Sequence, residues 1–570
     1  MLVLLASQYF FKPAPGPKPA TTPKNDKAAA AQVTQAPPAA AVQAAAADVP
    51  QTAVAGSVSA SEQTITTVDT DLYKIEFSNR GGVITSWVLK KYQDAEGKPL
   101  QLINPIAKDL ASPFSLDLSG QNLGFDPNKV LYLPKISDGG LTVDYDYSDG
   151  KASVHKSFVF SKDSYLADVK SSVLLNGLPV PSFLTWLGGF GDQKVRTAST
   201  LQHTTFFDTA ANKLVITNAG DVKGGGPQGF FDKLGTFFGT KEKPAENRTF
   251  VEASGNFMFA GLEDHFFASV ALPPSKDTQL KIRTYSASLK PEGEEKEVLY
   301  PGEGISTGPT NDFTLFTGPK DVDMLTKVNP KLGQLVDWGF FGIIAKPLFL
   351  WLNWVHDHWT YNYGWAVIVV TLIINLALFP FRLSSLKSAR KMQKLQPEIK
   401  KLNEKYKNLK LSDPKKAEQN QEVMALYKRE GVNPVGGCLP LLVQLPFFYA
   451  FYRVLNIAIE LRHAPWLWVT DLSSPETIAI HLLPLILVGT QFLSQRMTPA
   501  AGVDPAQQKM MMFMPLMFGF MFYYASAGLV LYWLTGNLVG IGQQLIINRF
   551  MPTAPVAPPE KAPVKRAVKK

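Results

Sequence analysis

Residues 364–381, GWAVIVVTLIINLALFPF, run directly into RLSSLKSARKMQKLQPEIKKLNEKYKNLK at 382–410. The first stretch carries no charge over eighteen residues, enough for a helix to cross the hydrocarbon of a bilayer. The second is among the most basic in the chain, and an apolar run closed by Lys and Arg marks a span anchored on the cytoplasmic side. Three more apolar blocks follow, at 435–455, 477–493 and 511–547. The last is too long for one crossing and contains Ala525-Ser526-Ala527-Gly528, so it reads as two short spans joined by a tight turn. The expected core, over 359–547, therefore has five spans, at about 364–381, 435–455, 477–493, 511–524 and 528–547. Gly536 and Gly540, four apart, predict a close approach of two helices.

The loops set the orientation. Segment 382–431 holds fourteen basic residues against six acidic ones, which places it in the cytoplasm. Loop 456–476 has Arg462 alone against Glu460, Asp471 and Glu476 and faces outward. The tail, 548–570, with Lys565, Arg566, Lys569 and Lys570, returns inside. Within 384–431, Leu386, Ala389, Met392, Leu395, Ile399, Leu402 and Tyr406 recur every three or four residues, one apolar seam on a basic helix. A turn at 407–412, then Asp413 as N-cap and Pro414 at the first position, predict a second helix ended by Gly431 and Pro434, hence a cytoplasmic helical hairpin.

Upstream the pattern changes twice. Between 62 and 325 short alternating runs (Tyr73, Ile75 and Phe77; Phe158 and Phe160; Leu280 and Ile282; Phe313 and Leu315) are punctuated by turns such as Asn79-Arg80-Gly81-Gly82, which predicts a large β-sandwich on the outer side. The glycines at 224–226 lack a following Gly-Lys-Ser/Thr and read as a loop, not a phosphate cradle. From 331 to 358, Leu348, Trp351, Leu352, Val355 and, just beyond, Trp359 form a stripe expected of an interfacial amphipathic helix. Residues 12–61 are Ala- and Pro-rich, a linker. Residues 1–11, MLVLLASQYFF, read as a shortened membrane anchor or an apolar disordered terminus.

Composition narrows the function. The averages, 45% hydrophobic and a net charge of +9, suit a soluble protein only because two unlike halves cancel. The single cysteine, Cys438, rules out an internal disulfide framework and multi-cysteine metal centres. His356 and His358, two apart, fall on different sides of a helix and do not make a metal site. No apolar block contains Asp or Glu, which opposes a proton- or ion-coupled transporter. The blocks instead carry Thr371 and Asn375, Gln444, Gln491, Asn537, Gln543 and Gln544, which either bond between helices or line a watery recess.

The segment KREGVNPVGGCLPLLVQLP at 428–446 resembles the signature of the YidC family of membrane protein insertases. So do Leu395-Gln396-Pro397, Ala425-Leu426-Tyr427, Glu460-Leu461-Arg462, Asp504-Pro505, Gln507-Gln508-Lys509 and Gly528 to Tyr532. The resemblance implies a multi-domain membrane protein of the bacterial inner membrane: a periplasmic all-β supersandwich plus an α-helical five-span insertase core with the hairpin in the cytoplasm. It implies insertion of nascent membrane proteins through a hydrophilic intramembrane groove, alone or with the Sec translocon, with no catalysis and no cofactor. Expected partners are ribosomes and targeting factors through the hairpin and tail, and anionic lipids, but not DNA. Gln444 and Thr371 match polar groove positions and Tyr532 an aromatic one. Members carry a groove arginine where this chain has Asn375. Arg382, seven residues on and two turns along the same face, either lends that charge or anchors the span at the cytoplasmic boundary. Two other readings remain, a secondary transporter or channel, and a β-domain that binds a ligand above spans that only anchor it.

Overall fold

The structure, a computed structural model, describes residues 56–94, 96–193, 201–223, 248–291, 295–406, 415–431, 439–497 and 505–550. The expected N-terminal anchor, the glycines at 224–226, the hairpin turn with Asp413 and Pro414, Cys438 and the basic tail beyond Phe550 lie outside the described residues.

From Ser57 to Pro319 the chain folds as strands that pair antiparallel, in sheets of eleven, five and four strands among the described residues. Alternation is the cause. In Ala152–Phe160 every second residue is buried, as a pleat with one face on a core requires. One core takes side chains from all three sheets. Phe77 of the four-stranded sheet packs 5.1 Å from Phe158 of the largest, and Trp87 stacks 6.0 Å from Trp186 of the five-stranded sheet. Pairing begins earlier than the 12–61 linker allowed, because Ser57 and Val58 bond to Asp149 and Ser148.

Lys156 is the charged residue on that buried face. It lies fully buried on the core face, and its Nζ donates to the carbonyls of Gly81 (2.7 Å), Gly82 (3.2 Å) and Phe114 (2.8 Å). Gly81 has φ +78°, and a Cβ there would stand 2.7 Å from the Asn128 carbonyl, so the turn read at 79–82 needs glycine. An ammonium with its donors spent on three acceptors staples that turn to the core.

The helices that follow are α1 (Val322–Val328), α2 (Gly342–Val355), α3 (Tyr363–Ala377), α4 (Phe379–Lys405), α5 (Lys415–Arg429), α6 (Leu439–Ile457), α7 (Leu482–Met497), α8 (Pro505–Phe522) and α9 (Ala527–Phe550). Taken singly, α9 is the one described helix long and apolar enough to cross a membrane; Gly342–Thr360 with Tyr363–Ala377 passes only as a pair bent by 114°. α7 starts at Leu482 rather than near 477. Pro484 sits in its first turn, where a missing N–H costs nothing, and Glu476 accepts the Leu483 N–H at 2.9 Å.

The α2 stripe also shifts. Leu348, Leu352 and Val355 are buried and Trp351 half-buried, but Trp359 is 57% exposed. Residues His356–Thr360 form a π-helical turn, whose wider spacing carries Trp359 out of phase. In the hairpin, Leu395 and Ile399 of α4 meet Leu426 and Tyr427 of α5. Glu398 pairs with Arg429, and Glu422 with Lys405, across the two helices.

Loop 456–476 is packed against the helices. Leu461, Trp466, Val469 and Leu472 are buried, and a side chain at Gly364 would run into the Trp466 ring. The loop also seats the β-domain. Arg462 pairs with Asp192 at 2.5 Å, both nearly inaccessible, and donates to the Gln93 carbonyl. His265 of the β-domain bonds to the Asn456 carbonyl at the end of α6. Burial first, then the nearby Asp321 and Asp323 carboxylates, push the Glu460 carboxyl up to about 7.

Two outcomes follow. Lys156→Met leaves three buried carbonyls without a donor and is expected to destabilise the β-domain by about 2–4 kcal/mol, read as a lower midpoint in thermal unfolding of the purified chain. Glu460 holds its proton to about pH 7 when folded but only to about 4.3 when unfolded. Its stabilising contribution is therefore present near pH 4 and lost as the pH rises to 7. Glu460→Gln, fixed in the neutral form, should raise the melting temperature at pH 8 and change it little near pH 4.5; equal shifts at both pH values would contradict this.

Candidate functional site

Thr371 and Asn375 lie four apart on α3 and so share a face. Thr371 is fully buried and donates to the Val367 carbonyl at 2.6 Å. Asn375 is half-buried and donates to the Thr371 carbonyl at 2.9 Å. Both donors are spent on their own helix, while the Asn375 Oδ1 has no partner among the described residues.

α4 begins two residues after α3 ends, and Pro380 in its first turn does not break the run: the Arg382 N–H still reaches the Leu378 carbonyl at 3.2 Å. Arg382 is thus carried inward toward α9. Its Nη1 donates to Gln543 Oε1 at 3.3 Å, and Gln543 Nε2 donates to the Asn375 backbone carbonyl at 3.3 Å. Among the described residues no carboxylate pairs with Arg382. Thr371, Asn375 and Arg382 are therefore brought to one place, with Gln543 as the joining group.

The other two expected residues lie apart from that cluster. Gln444 is exposed on α6. It falls four and seven residues before Phe448 and Phe451, on their face of the helix. Tyr532 of α9 is 5% exposed, stacked 4.4 Å from Phe451 and 6.3 Å from Phe448. It packs within the apolar core, about 16 Å along α9 from Gln543 at 1.5 Å per residue.

The polar residues of α9 make further bonds between helices. Asn537 donates to Gln491 of α7 at 2.6 Å. Asn548 accepts from Arg390 of α4 at 2.6 Å and from Gln544 at 3.2 Å. The expected use of Gly536 and Gly540 is corrected: Gly540 makes room for the Arg382 side chain rather than for a second helix, and a Cβ at Gly536 would meet only Asn375, at 3.9 Å. Gln543 as a site residue was recoverable from sequence, since Gly536, Gly540, Gln543 and Gln544 make a small and polar stripe at i, i+4, i+7 and i+8. Arg453, inside the second apolar block, is a further site residue that spacing does not reveal; near the C-terminal end of α6 it pairs with Asp337 at 2.6 Å.

Two family models match this chain in tandem, the YidC periplasmic domain over residues 65–351 and the 60Kd inner membrane protein over 354–554. The membrane protein insertase YidC of Cupriavidus taiwanensis is 34% identical over 495 residues, covering 85% of this chain and 82% of that protein. That of Geotalea daltonii is 32% identical over 571 residues, covering 97% and 98%. Among solved structures, an active YidC insertase with its first transmembrane domain resolved is 19% identical, with a TM-score of 0.35 over 87% of this chain and 94% of that one. With both halves matched in order and relatives above 30% identity aligned over more than four-fifths of their length, this chain belongs to the YidC family of membrane protein insertases.

Proposed function

We propose that this chain inserts membrane proteins into the bacterial inner membrane through a polar recess marked by Thr371, Asn375, Arg382 and Gln543, with Gln444 and Tyr532 apart from it along the substrate's path. The observation that carries this reading is the Arg382 guanidinium, turned among the helices with one glutamine as its partner among the described residues. A cation so placed offers unused N–H donors to a carboxylate or carbonyl arriving from outside the protein.

The energetics fit. On an insertion scale a charged residue at mid-membrane costs about 2.5–3.5 kcal/mol, while each Leu or Ile returns about 0.3–0.6. A substrate helix with ten such residues therefore gains about 3–6 kcal/mol, enough to offset one or two buried charges of its polar tail and no more. A recess that hydrates and pairs that tail part-way across lowers the barrier, and partitioning of the helix then drives insertion without ATP, cofactor or covalent step.

In this reading α3, α6, α7, α8 and α9 are the five spans at about 364–381, 435–455, 477–493, 511–524 and 528–547. The β-domain lies in the periplasm, and the hairpin and tail lie in the cytoplasm. The basic hairpin faces suit ribosomes, targeting factors and anionic lipid heads, and the Sec translocon is the proposed partner for larger substrates.

The test is protease protection of a single-span substrate with an acidic tail, added to proteoliposomes holding the full chain. Wild type should protect well above empty liposomes, and equal protection would remove the insertase reading. Arg382→Ala should slow insertion about tenfold, the equivalent of 1.4 kcal/mol, and Asn375→Arg placed in that background should restore much of it. Unimpaired insertion by Arg382→Ala would reassign Arg382 to the membrane boundary.

A further inference from the structure

Arg382 belongs to α4, but the groups that place its guanidinium belong to α9. At Gly540 a Cβ would stand 2.7 Å from Nη1 and 2.9 Å from Cζ of Arg382, and closer still to Nη2. The whole planar head of the arginine therefore occupies the space a side chain at 540 would fill. Gly536, one turn earlier on the same face, has only the ordinary 3.9 Å approach to Asn375. Three residues after Gly540, Gln543 accepts from the guanidinium and donates to the α3 backbone, which ties the seated charge to the helix that carries Asn375.

We propose that Gly540 and Gln543 are positioning residues for the Arg382 charge: the glycine is its seat and the glutamine its tether, so that α9 decides where along the recess the cation stands. This rests on the reading above that Arg382 serves insertion. The seat can be altered without breaking the helix. An alanine at 540 meets the far end of a flexible side chain, which withdraws instead of forcing the helices apart. Nη1 has to retreat by several tenths of an ångström to reach ordinary contact, and its 3.3 Å bond to Gln543 is then lost. Gly540→Ala is thus a folded protein with a displaced charge.

The measurement uses the full chain in proteoliposomes and two single-span substrates that differ only by Asp or Asn in the polar tail. The readout is the ratio of their insertion rates, which a general loss of folding does not move. Gly540→Ala and Gln543→Leu should each lower the acidic-to-neutral ratio about fivefold, and Gly536→Ala should match wild type. Gly540→Ala added to Arg382→Ala should cost nothing further, since the two changes remove one shared interaction. The positioning role is overturned if Arg382→Ala lowers the ratio while Gly540→Ala does not, if the two losses add, or if Gly536→Ala behaves like Gly540→Ala. A ratio in Arg382→Ala equal to wild type removes the reading of the arginine itself, and the seat with it.

Discussion

An arginine held between α3 and α9 with no carboxylate partner among the described residues is the constraint around which this half of the molecule is arranged. Intramembrane cations are costly and persist where they face a bundle interior or water. In the reading proposed above, Arg382 meets that requirement with neutral partners. Gln543 takes one donor, the Asn375 backbone receives the amide of that glutamine, and Gly540 clears the volume. A carboxylate in the same place would have neutralised the charge. Neutral partners orient the guanidinium and leave its charge unspent.

The β-domain solves a different problem. Without disulfides, a β-domain of this size must be stable through its core alone. It achieves this by drawing aromatic side chains from three sheets into one cluster and by closing the turn at 79–82 over a buried lysine. The same economy appears where the domain meets the spans: Arg462 sits against Asp192 and over the Phe266 and Phe267 rings, with charge and apolar surface used together at one point of attachment.

Features that depend on near neighbours were legible in the sequence. The alternation of Ala152–Phe160, the charge-free run at 364–381 and the basic stripe with its apolar seam all follow from spacing. Long-range features were not. Arg462 and Asp192 are 270 positions apart, and the carbonyls that hold Lys156 lie 42 to 75 positions away. The π-helical turn at 356–360 has no proline or glycine to announce it. Gly536 and Gly540 read as a helix-contact motif because a glycine pair looks the same whether it admits a backbone or a side chain. Of the expected site residues, Thr371, Asn375 and Arg382 converge because the helix continues through Pro380, whereas Tyr532 stacks in the apolar core.

The attachment of the β-domain also defines a path for mechanical load. Apart from the chain that leads through α1 into α2, the described polar ties run from Asp192 and Gln93 to Arg462, from Gln93 to His463 and from His265 to Asn456. All of them end on the last turn of α6 or the segment between α6 and α7. A tug on the β-domain is therefore delivered to the α6–α7 segment and from there straight to the start of α9, whose Ala527 and Gly528 N–H groups bond to the Ser474 and Leu472 carbonyls of that segment, so the domain is linked by main-chain bonds to the helix that seats the arginine.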